Sequence, residues 1–249
     1  MKYSIMHALT YSYDSPVRFS TQYLRLTPRD TARQTVVSWK LETPGQPMRT
    51  IDGYGNVLHV LTLDKPVSEI TIFVSGRVET SPALDQPSDF TGTPLSPLLF
   101  MRPTGLTRAD AELASFVEAF RRRAGTVSGL RELAAAVKKR SPGASAQELS
   151  HNFIACGRHL GLPSRYVSGY ACSGGKSGDA MAIHAWAEAW LDERWRSFDV
   201  AQGTDAGERH IKIAIGADYL DACPIRGVRT GGGKETLIAR ADVTVEPQQ

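Results

Sequence analysis

The sequence of 249 residues contains few cysteines and no long hydrophobic run. Its three cysteines are an odd number without close pairing, which argues against a disulfide framework. No segment reaches the roughly 18 apolar residues that a membrane-spanning helix needs. The first residues alternate between polar and apolar types instead of forming a continuous apolar stretch, so we expect no signal peptide. These absences favour a cytoplasmic protein that does not use a membrane as a partner.

The sequence also lacks a strong excess of either charge. Its 29 basic and 26 acidic residues leave a net charge of +3, which is too small to indicate a nucleic-acid surface. The hydrophobic content of 41% and the charged content of 22% are typical of a globular protein. A chain of this length can form one large domain or two small ones, each with a buried core.

Residues 1–80 have the pattern of an all-β domain. Short alternating segments are separated by turn residues such as Asp14-Ser-Pro16, Pro44-Gly45 and the Gly-rich stretch 52–56. Strands at this spacing indicate an antiparallel β-sandwich-like domain. The predicted strands run over residues 3–13, 20–26, 34–42, 57–63 and 70–79.

The composition changes after residue 80. Residues 81–105 are rich in proline and are interpreted as a linker between domains, with Leu98-Leu99-Phe100 docked on one of them. Residues 106–249 then alternate between helical and strand patterns. Three helices are predicted up to Gly161, which has the position of a helix C-cap. Strands are predicted over residues 165–171, 184–191, 195–200 and 235–245, so the fold class is α+β.

Two predicted strands place a histidine and an aspartate near each other. His184 begins an alternating strand, and Asp199 ends the next one after a short Asp-Glu-Arg turn. Antiparallel strands joined by a short turn bring these ends together. A histidine oriented by an aspartate is the pair that activates a thiol nucleophile. The sequence therefore predicts two members of a catalytic triad.

Several long motifs, in a consistent order, resemble one family. They include Thr10-Tyr-Ser-Tyr13, Leu24-Arg-Leu26-x-Pro28-Arg29, the stretch from Leu160 to Tyr170, His184-Ala-Trp186-x-Glu188 and Glu208-Arg209-His210. They are similar to motifs of the bacterial transglutaminase-like family, and the resemblance covers nearly the whole chain. It implies a β-rich N-terminal domain followed by a papain-like core. In that core, helices pack on an antiparallel sheet, and the two together carry a Cys-His-Asp triad.

The family's nucleophile motif is altered in this chain. Family members carry Gly-x-Cys-Gln-Asp-x-Ala-His at the start of the core helix, whereas the aligned residues here are Ala144-Ser145-Ala146-Gln147-Glu148-Leu149-Ser150-His151. Ala146 stands at the position of the cysteine. Ala144 and Glu148 differ as well, and the segment before them is short. These combined changes favour natural loss of the nucleophile over a single engineered substitution.

Other residues could take the place of the missing thiol. Cys156 lies ten residues after Ala146, about 15 Å further along the same helix, so it cannot meet the same histidine. Cys223 is interpreted as structural. Cys172, which follows a strand, and Ser145, next to the nucleophile position, remain as substitutes, as does a water molecule activated by His184.

The main hypothesis is an inactive homologue that binds a polypeptide or partner protein and keeps the His184–Asp199 pair. The alternatives are an acyltransferase or cysteine peptidase represented by a Cys→Ala variant, and an enzyme with a different nucleophile. We expect Gln147, His151 and Trp186 to contribute to binding, although His151 and Trp186 also have structural interpretations. No cofactor is expected. A metal site formed by His151, His184 and Asp199 is disfavoured because their spacing matches no metal motif. The sequence does not reveal the oligomeric state.

Overall fold

The structure, a computed structural model, describes residues 1–82, 95–172 and 181–245, and all of their side chains except those of residues 172, 181 and 182. Most of the predicted linker, residues 83–94, lies outside the described residues. The strands are β1 (Lys2–Thr27), β2 (Gln34–Glu42), β3 (Met48–Ile51), β4 (Val57–Leu63), β5 (Val67–Thr80), β6 (Ser164–Cys172), β7 (Met181–Leu191), β8 (Arg194–Asp199), β9 (Thr204–Asp205), β10 (His210–Gly216), β11 (Ile225–Gly231) and β12 (Glu235–Val245). The helices are α1 (Ala111–Glu118), α2 (Val127–Arg140), α3 (Ala146–His159) and α4 (Tyr219–Ala222), and a 3-10 helix spans Pro97–Met101.

The N-terminal sheet is organised around the 26-residue strand β1. The first half of β1 pairs with β5 and β12, and the second half pairs with β4 and β11. The turn predicted at Asp14-Ser-Pro16 is wrong, because the chain continues through it with an irregularity in the register against β5. The Asp14 amide donates to the Lys234 carbonyl, and its carboxylate accepts from the Lys234 amide, so this stretch is held by the C-terminal segment instead of reversing.

The two halves of this sheet enclose one apolar core. Alternate residues of each strand point to one face of a sheet, so β1, β4 and β5 can direct their apolar side chains inward. The buried cluster consists of Leu9, Tyr13, Val17, Leu24, Leu26, Leu61, Leu63, Ile70, Ile72 and Val74. The sandwich-like character predicted for this domain therefore follows from β1 crossing between both halves. The short strand β3 lies between two predicted turns and is not among the predicted strands.

The second half of the fold packs helices on a five-stranded sheet of order β10-β6-β7-β8-β9. Ala185, Ala187 and Ala189 of β7 are buried in the same cluster as Phe153 of α3. Because alanine side chains are small, α3 can lie close to the centre of the sheet. This α+β arrangement confirms the predicted fold class. No helix in the described ranges combines the length and hydropathy that crossing a membrane requires.

The opposite face of the core sheet buries Trp186 together with Phe100 from the 3-10 helix. Gly169 makes room for the indole, because a Cβ at this glycine would lie 2.7 Å from Trp186 Cη2. Phe100 is fully buried, whereas Leu98 and Leu99 are exposed. Of the three residues predicted to dock the end of the linker, Phe100 is the one that anchors it.

The C-terminal strands β11 and β12 join the N-terminal sheet. This differs from the predicted domain division, in which all of residues 106–249 belong to the core. β12 pairs with β1 from Tyr3 opposite Val245 to Tyr13 opposite Glu235, and β11 pairs with the second half of β1. A local strand pattern shows that a segment is extended, but it does not show which sheet receives it. The choice is made by pairing between residues more than 200 positions apart.

Two amide side chains join the sheets. The Asn56 side chain donates to the Ile215 carbonyl and accepts from the Ile215 amide, each over 2.8 Å. Gln34 forms the same pair of bonds with Lys212, at 2.9 and 2.8 Å. These amides satisfy the edge of β10 as a neighbouring strand would, so they fix the N-terminal sheet against the core sheet.

We predict that Asn56→Ala lowers the free energy of unfolding by about 2–3 kcal/mol, because it leaves two buried backbone groups of Ile215 without partners. Urea denaturation measures the change. Thr50→Ala, on the exposed strand β3, is the control and should stay within about 0.5 kcal/mol of the parent. Equal effects of the two substitutions would show that the Asn56 bonds do not hold the sheets together.

Candidate functional site

The hairpin of β7 and β8 brings His184 to Asp199. Its turn residues Asp192 and Glu193 have φ angles of 52° and 59°, the left-handed pair of a type I′ turn, which matches the twist of a two-strand hairpin. His184 Nε2 and Asp199 Oδ2 lie 2.7 Å apart. The His184 side chain is 16% exposed, and the Asp199 side chain is fully buried.

A second histidine binds the same carboxylate oxygen. His210, the first residue of β10, places its Nε2 2.8 Å from Asp199 Oδ2. The Gln202 amide donates to the other oxygen, Oδ1, over 2.9 Å. Sequence reasoning assigned no role to His210, which appeared only within the motif Glu208-Arg209-His210. No local pattern could have found the contact, because it joins two strands that are not neighbours in the sheet.

The environment keeps Asp199 ionised. Burial alone would raise the pKa of its carboxyl, but the hydrogen bonds from His184 and His210 act in the opposite direction and outweigh it. The resulting pKa is well below the ordinary value, so the carboxylate carries its charge at neutral pH.

The three groups could be taken for a metal site, since their potential ligand atoms lie within 4.8 Å of one another. The hydrogen bonds argue against this. His210 Nδ1 accepts a hydrogen bond from the Gly207 amide over 3.1 Å, so the proton of the neutral ring sits on Nε2 and points at Asp199. A protonated Nε2 has no lone pair for a metal ion. The residues present therefore form a hydrogen-bonded His-Asp-His chain.

The residues at the start of α3 form a closed cap. Glu148 N donates to Ser145 Oγ over 3.2 Å, and Ser145 N and Oγ each donate to the Glu148 carboxylate over 2.8 Å. This is the reciprocal capping box, and it begins the helix where the sequence predicted. The Ser145 hydroxyl uses its proton on Glu148, and these bonds lower the pKa of Glu148, which makes it a weak base. Ser145 is therefore poorly suited to act as a nucleophile.

Ala146 and His184 line one cavity of about 370 Å³ between the start of α3, the core strands β6 and β7, and the strands β1 and β12 of the N-terminal sheet. The cavity thus uses both halves of the fold. Its lining residues are Leu9, Tyr11, Ser145, Ala146, Gln147, Tyr166, Ser168, Ile183, His184, Ala185, Tyr219, Pro224, Ile225 and Leu237.

Of the three predicted binding residues, Gln147 lies in this cavity and the other two do not. His151 is buried under α3, where its Nε2 accepts from the Tyr219 amide and burial lowers its pKa. Among the described residues, the group close enough to share a metal ion is His184, Asp199 and His210, and His151 is not part of it. Trp186 is fully buried, and its indole packs edge-on against His210 at 5.1 Å. Both rings are buried and pack against residues of the site: His151 against Tyr166 and Trp186 against His210. Their role is therefore structural.

Neither described thiol is among the residues that line the cavity, although Cys223 contacts two of them, Tyr219 and Ile225. Cys156 is fully buried in the helical core, and burial raises its pKa to about 12. Cys223 is buried and its Sγ donates to the Ile225 carbonyl over 2.9 Å. The side chain of Cys172, the other proposed substitute, lies outside the described residues.

A buried ionic cluster lies on the same face of the sheet as His184. Glu188 of β7 accepts hydrogen bonds from Arg165 over 2.8 Å, from Lys212 over 2.5 Å and from the Ser197 hydroxyl over 2.7 Å. Burial lowers the pKa of Lys212, and the two cations hold the pKa of Glu188 below its usual range despite its burial. The cluster joins β6, β7, β8 and β10, and the last three of these strands also carry the His-Asp-His chain.

Comparison with family models agrees with this architecture. Residues 3–79 match the bacterial transglutaminase-like N-terminal region, and residues 103–200 match the transglutaminase-like superfamily core. The chain belongs to the transglutaminase-like superfamily, as its motifs indicated.

Similar proteins span the whole chain. An uncharacterized protein of Mycobacterium leprae is 29% identical over 97% of this chain and 96% of its own length. An uncharacterized protein of Mycobacterium tuberculosis is 28% identical over 98% of this chain and 92% of its own. The crystal structure of a candidate cysteine protease from Cytophaga hutchinsonii aligns with a TM-score of 0.73 and 17% identity, covering 100% of this chain and 92% of that chain. This last similarity establishes the shared fold.

We predict that Asp199→Asn lowers the free energy of unfolding at pH 7 by about 2–3 kcal/mol, since hydrogen bonds to a buried charge are lost. The folded-state pKa of Asp199 is depressed, so its stabilisation is present above about pH 4 and is lost as the pH falls below the ordinary aspartate value. The difference between parent and variant should therefore shrink in acid. Urea denaturation at several pH values measures it.

Asp205→Asn is the matched control for this substitution. Asp205 follows on the next strand and pairs with Arg131, but both side chains are substantially exposed. An exposed ion pair contributes less than about 1 kcal/mol. If Asp199→Asn were as mild as the control, or if its effect did not depend on pH, the buried carboxylate would not hold the site together.

Proposed function

We propose that this protein is a non-catalytic, peptide-binding member of the transglutaminase-like superfamily. The observation that carries the proposal is Ala146, which lines the same cavity as a histidine held by a buried aspartate. Acyl transfer through a covalent intermediate requires a thiol, hydroxyl or amine at this place. A methyl group supplies none of these.

The hydroxyl groups near Ala146 do not replace the thiol. Ser145 is committed to the helix cap, and Ser168 donates its proton to the Ala222 carbonyl over 2.7 Å. Burial raises the pKa of Tyr11 to about 12 and also raises the pKa values of Tyr166 and Tyr219, so their hydroxyls resist ionisation. These contacts support loss of the chemistry with retention of the cleft.

A polypeptide is the ligand that this architecture favours. The cavity is bounded by strands of both sheets, and it is lined by Ala146, the residue that the motif alignment sets at the position of the family's cysteine. The structural neighbour described as a candidate cysteine protease has the same fold. A binding protein that evolved from such a core would retain a surface shaped for an extended chain.

A second candidate is a hydrolase that uses a water molecule activated by His184. One observation favours it. Nε2 of His184 contacts Asp199, whereas Nδ1 of His184 has no hydrogen-bond partner among the described residues. His184 lines the cavity, so Nδ1 could accept a proton from a water there.

We predict no cysteine-dependent amide cleavage or transfer by the purified protein. Incubation with N-acetylated peptide amides, with and without an amine acceptor, followed by mass spectrometry provides the measurement. The peptides should remain intact whether or not the protein is treated with iodoacetamide. Turnover sensitive to iodoacetamide would assign the reaction to a thiol. Turnover that resists iodoacetamide but disappears in His184→Ala would establish the water mechanism.

We predict that Ala146→Cys restores below roughly 1% of the turnover of an active superfamily member, because loss of a single oxyanion donor already costs about 100- to 1000-fold. Ala144, Glu148 and the short segment before them are altered where active members build the wall of the cleft. Alkylation by iodoacetamide checks that the introduced thiol is accessible. Turnover comparable to an active enzyme would instead identify this chain as a Cys→Ala form of a working acyltransferase or peptidase.

A further inference from the structure

The cavity beside His184 has a mainly apolar lining. Its aliphatic members come from four strands, the start of α3 and the loop before β11, and three tyrosine rings complete it. Among the described lining residues no side chain is acidic, and the basic one is His184, whose Nε2 contacts Asp199. The aliphatic and aromatic residues are Leu9, Tyr11, Ala146, Tyr166, Ile183, Ala185, Tyr219, Pro224, Ile225 and Leu237.

Apolar side chains around this cavity are also unusually accessible. Ile183 is 42% exposed and Leu237 is 49% exposed, and both line the cavity. Clustered apolar groups left in contact with water are a feature of binding surfaces. A ligand that covered both side chains would gain the free energy of removing them from water.

The outer wall of the cavity is an edge strand. Within the described part of the chain, β12 forms ladder hydrogen bonds with β1 on one side. Leu237 pairs opposite Tyr11, and both line the cavity. An extended peptide can hydrogen bond to such an edge while one of its side chains enters a neighbouring pocket.

From these features we infer that the cavity is a specificity pocket for one uncharged aliphatic or aromatic side chain of an extended peptide. This inference rests on the proposed peptide-binding function and names the class of ligand for the same site. A volume of about 370 Å³ is near the lower end for ligand sites, so it suits a side chain with its flanking backbone.

The absence of charge in the described lining sets the selectivity. A lysine or glutamate side chain entering the pocket would lose water and find no opposite charge among these residues, which disfavours binding. Leucine or phenylalanine would lose no hydrogen bonds. The pocket should therefore discriminate by rejecting charge as well as by apolar contact.

The test uses five peptides of the form acetyl-Gly-Ala-X-Ala-Gly-amide, with X as Leu, Phe, Gln, Lys or Glu, titrated by ligand-observed NMR or calorimetry. The peptides with Leu and Phe should bind at least about tenfold more tightly than those with Lys and Glu, with Gln weaker than Leu. Equal binding of all five would overturn the pocket assignment but leave peptide binding intact. Binding of none would remove the proposed function as well.

Two neighbouring residues of β12 give a matched pair of variants. Leu237 lines the cavity, whereas Ile238 points to the opposite face of the sheet and is similarly exposed, at 52%. Leu237→Glu should weaken binding of the Leu peptide about tenfold or more, and Ile238→Glu should leave it unchanged. Because both substitutions add the same charge to the same strand, equal losses would assign the effect to the strand and overturn the pocket.

Discussion

The buried carboxylate of Asp199 is the constraint around which this site is organised. An ionised group removed from water must have its oxygens satisfied, and here the partners come from β7, β10 and the turn after β8. Asp199 thereby holds together segments that are distant in the chain. One of them, β10, is also not a neighbour of β8 in the sheet. Removal of Asp199 would leave the buried His210, the partly buried His184 and a turn amide without their common acceptor, so the His184–Asp199 pair has a structural role that does not depend on catalysis.

The start of α3 is a complete helix N-terminus with alanine as its first residue. In an active relative, the helix N-terminus would favour a thiolate at this place. In this chain Ser145 and Glu148 satisfy the helix end through a capping box, and Ala146 is an ordinary first helical residue. The helix therefore needs no thiolate for its own stability. Beside it lies a cavity whose walls come from both sheets, where the proposed function places a bound peptide.

The sequence predicted the parts of this structure that depend on local patterns. The strands β2 and β4 and the start of α3 at Ser145 follow from alternation and capping chemistry. The predicted cap glycine is one position too late, because Leu160 is the C-cap of α3 and Gly161 follows it with a positive φ angle. Long-range pairing was inaccessible. Whether β11 and β12 join one sheet or the other, whether β1 turns or continues at Asp14, and whether His210 reaches Asp199 are all decided between residues distant in the chain. The fold class was predictable because local patterns show which segments are helices and which are strands. The walls of the cavity were not, because they depend on which distant segments pair.

The most direct measurement of the central claim is NMR of the protein carrying a labelled Ala146 methyl group and labelled histidines, titrated with an N-acetylated, C-amidated peptide. Ala146 and His184 line the same cavity, so a bound peptide must change the surroundings of both. A non-catalytic binding cleft predicts saturable shifts of the Ala146 methyl and the His184 ring while the signals of the peptide stay those of the intact molecule over days. Cleavage or transfer products, or saturable binding that leaves both residues unperturbed, would contradict the account.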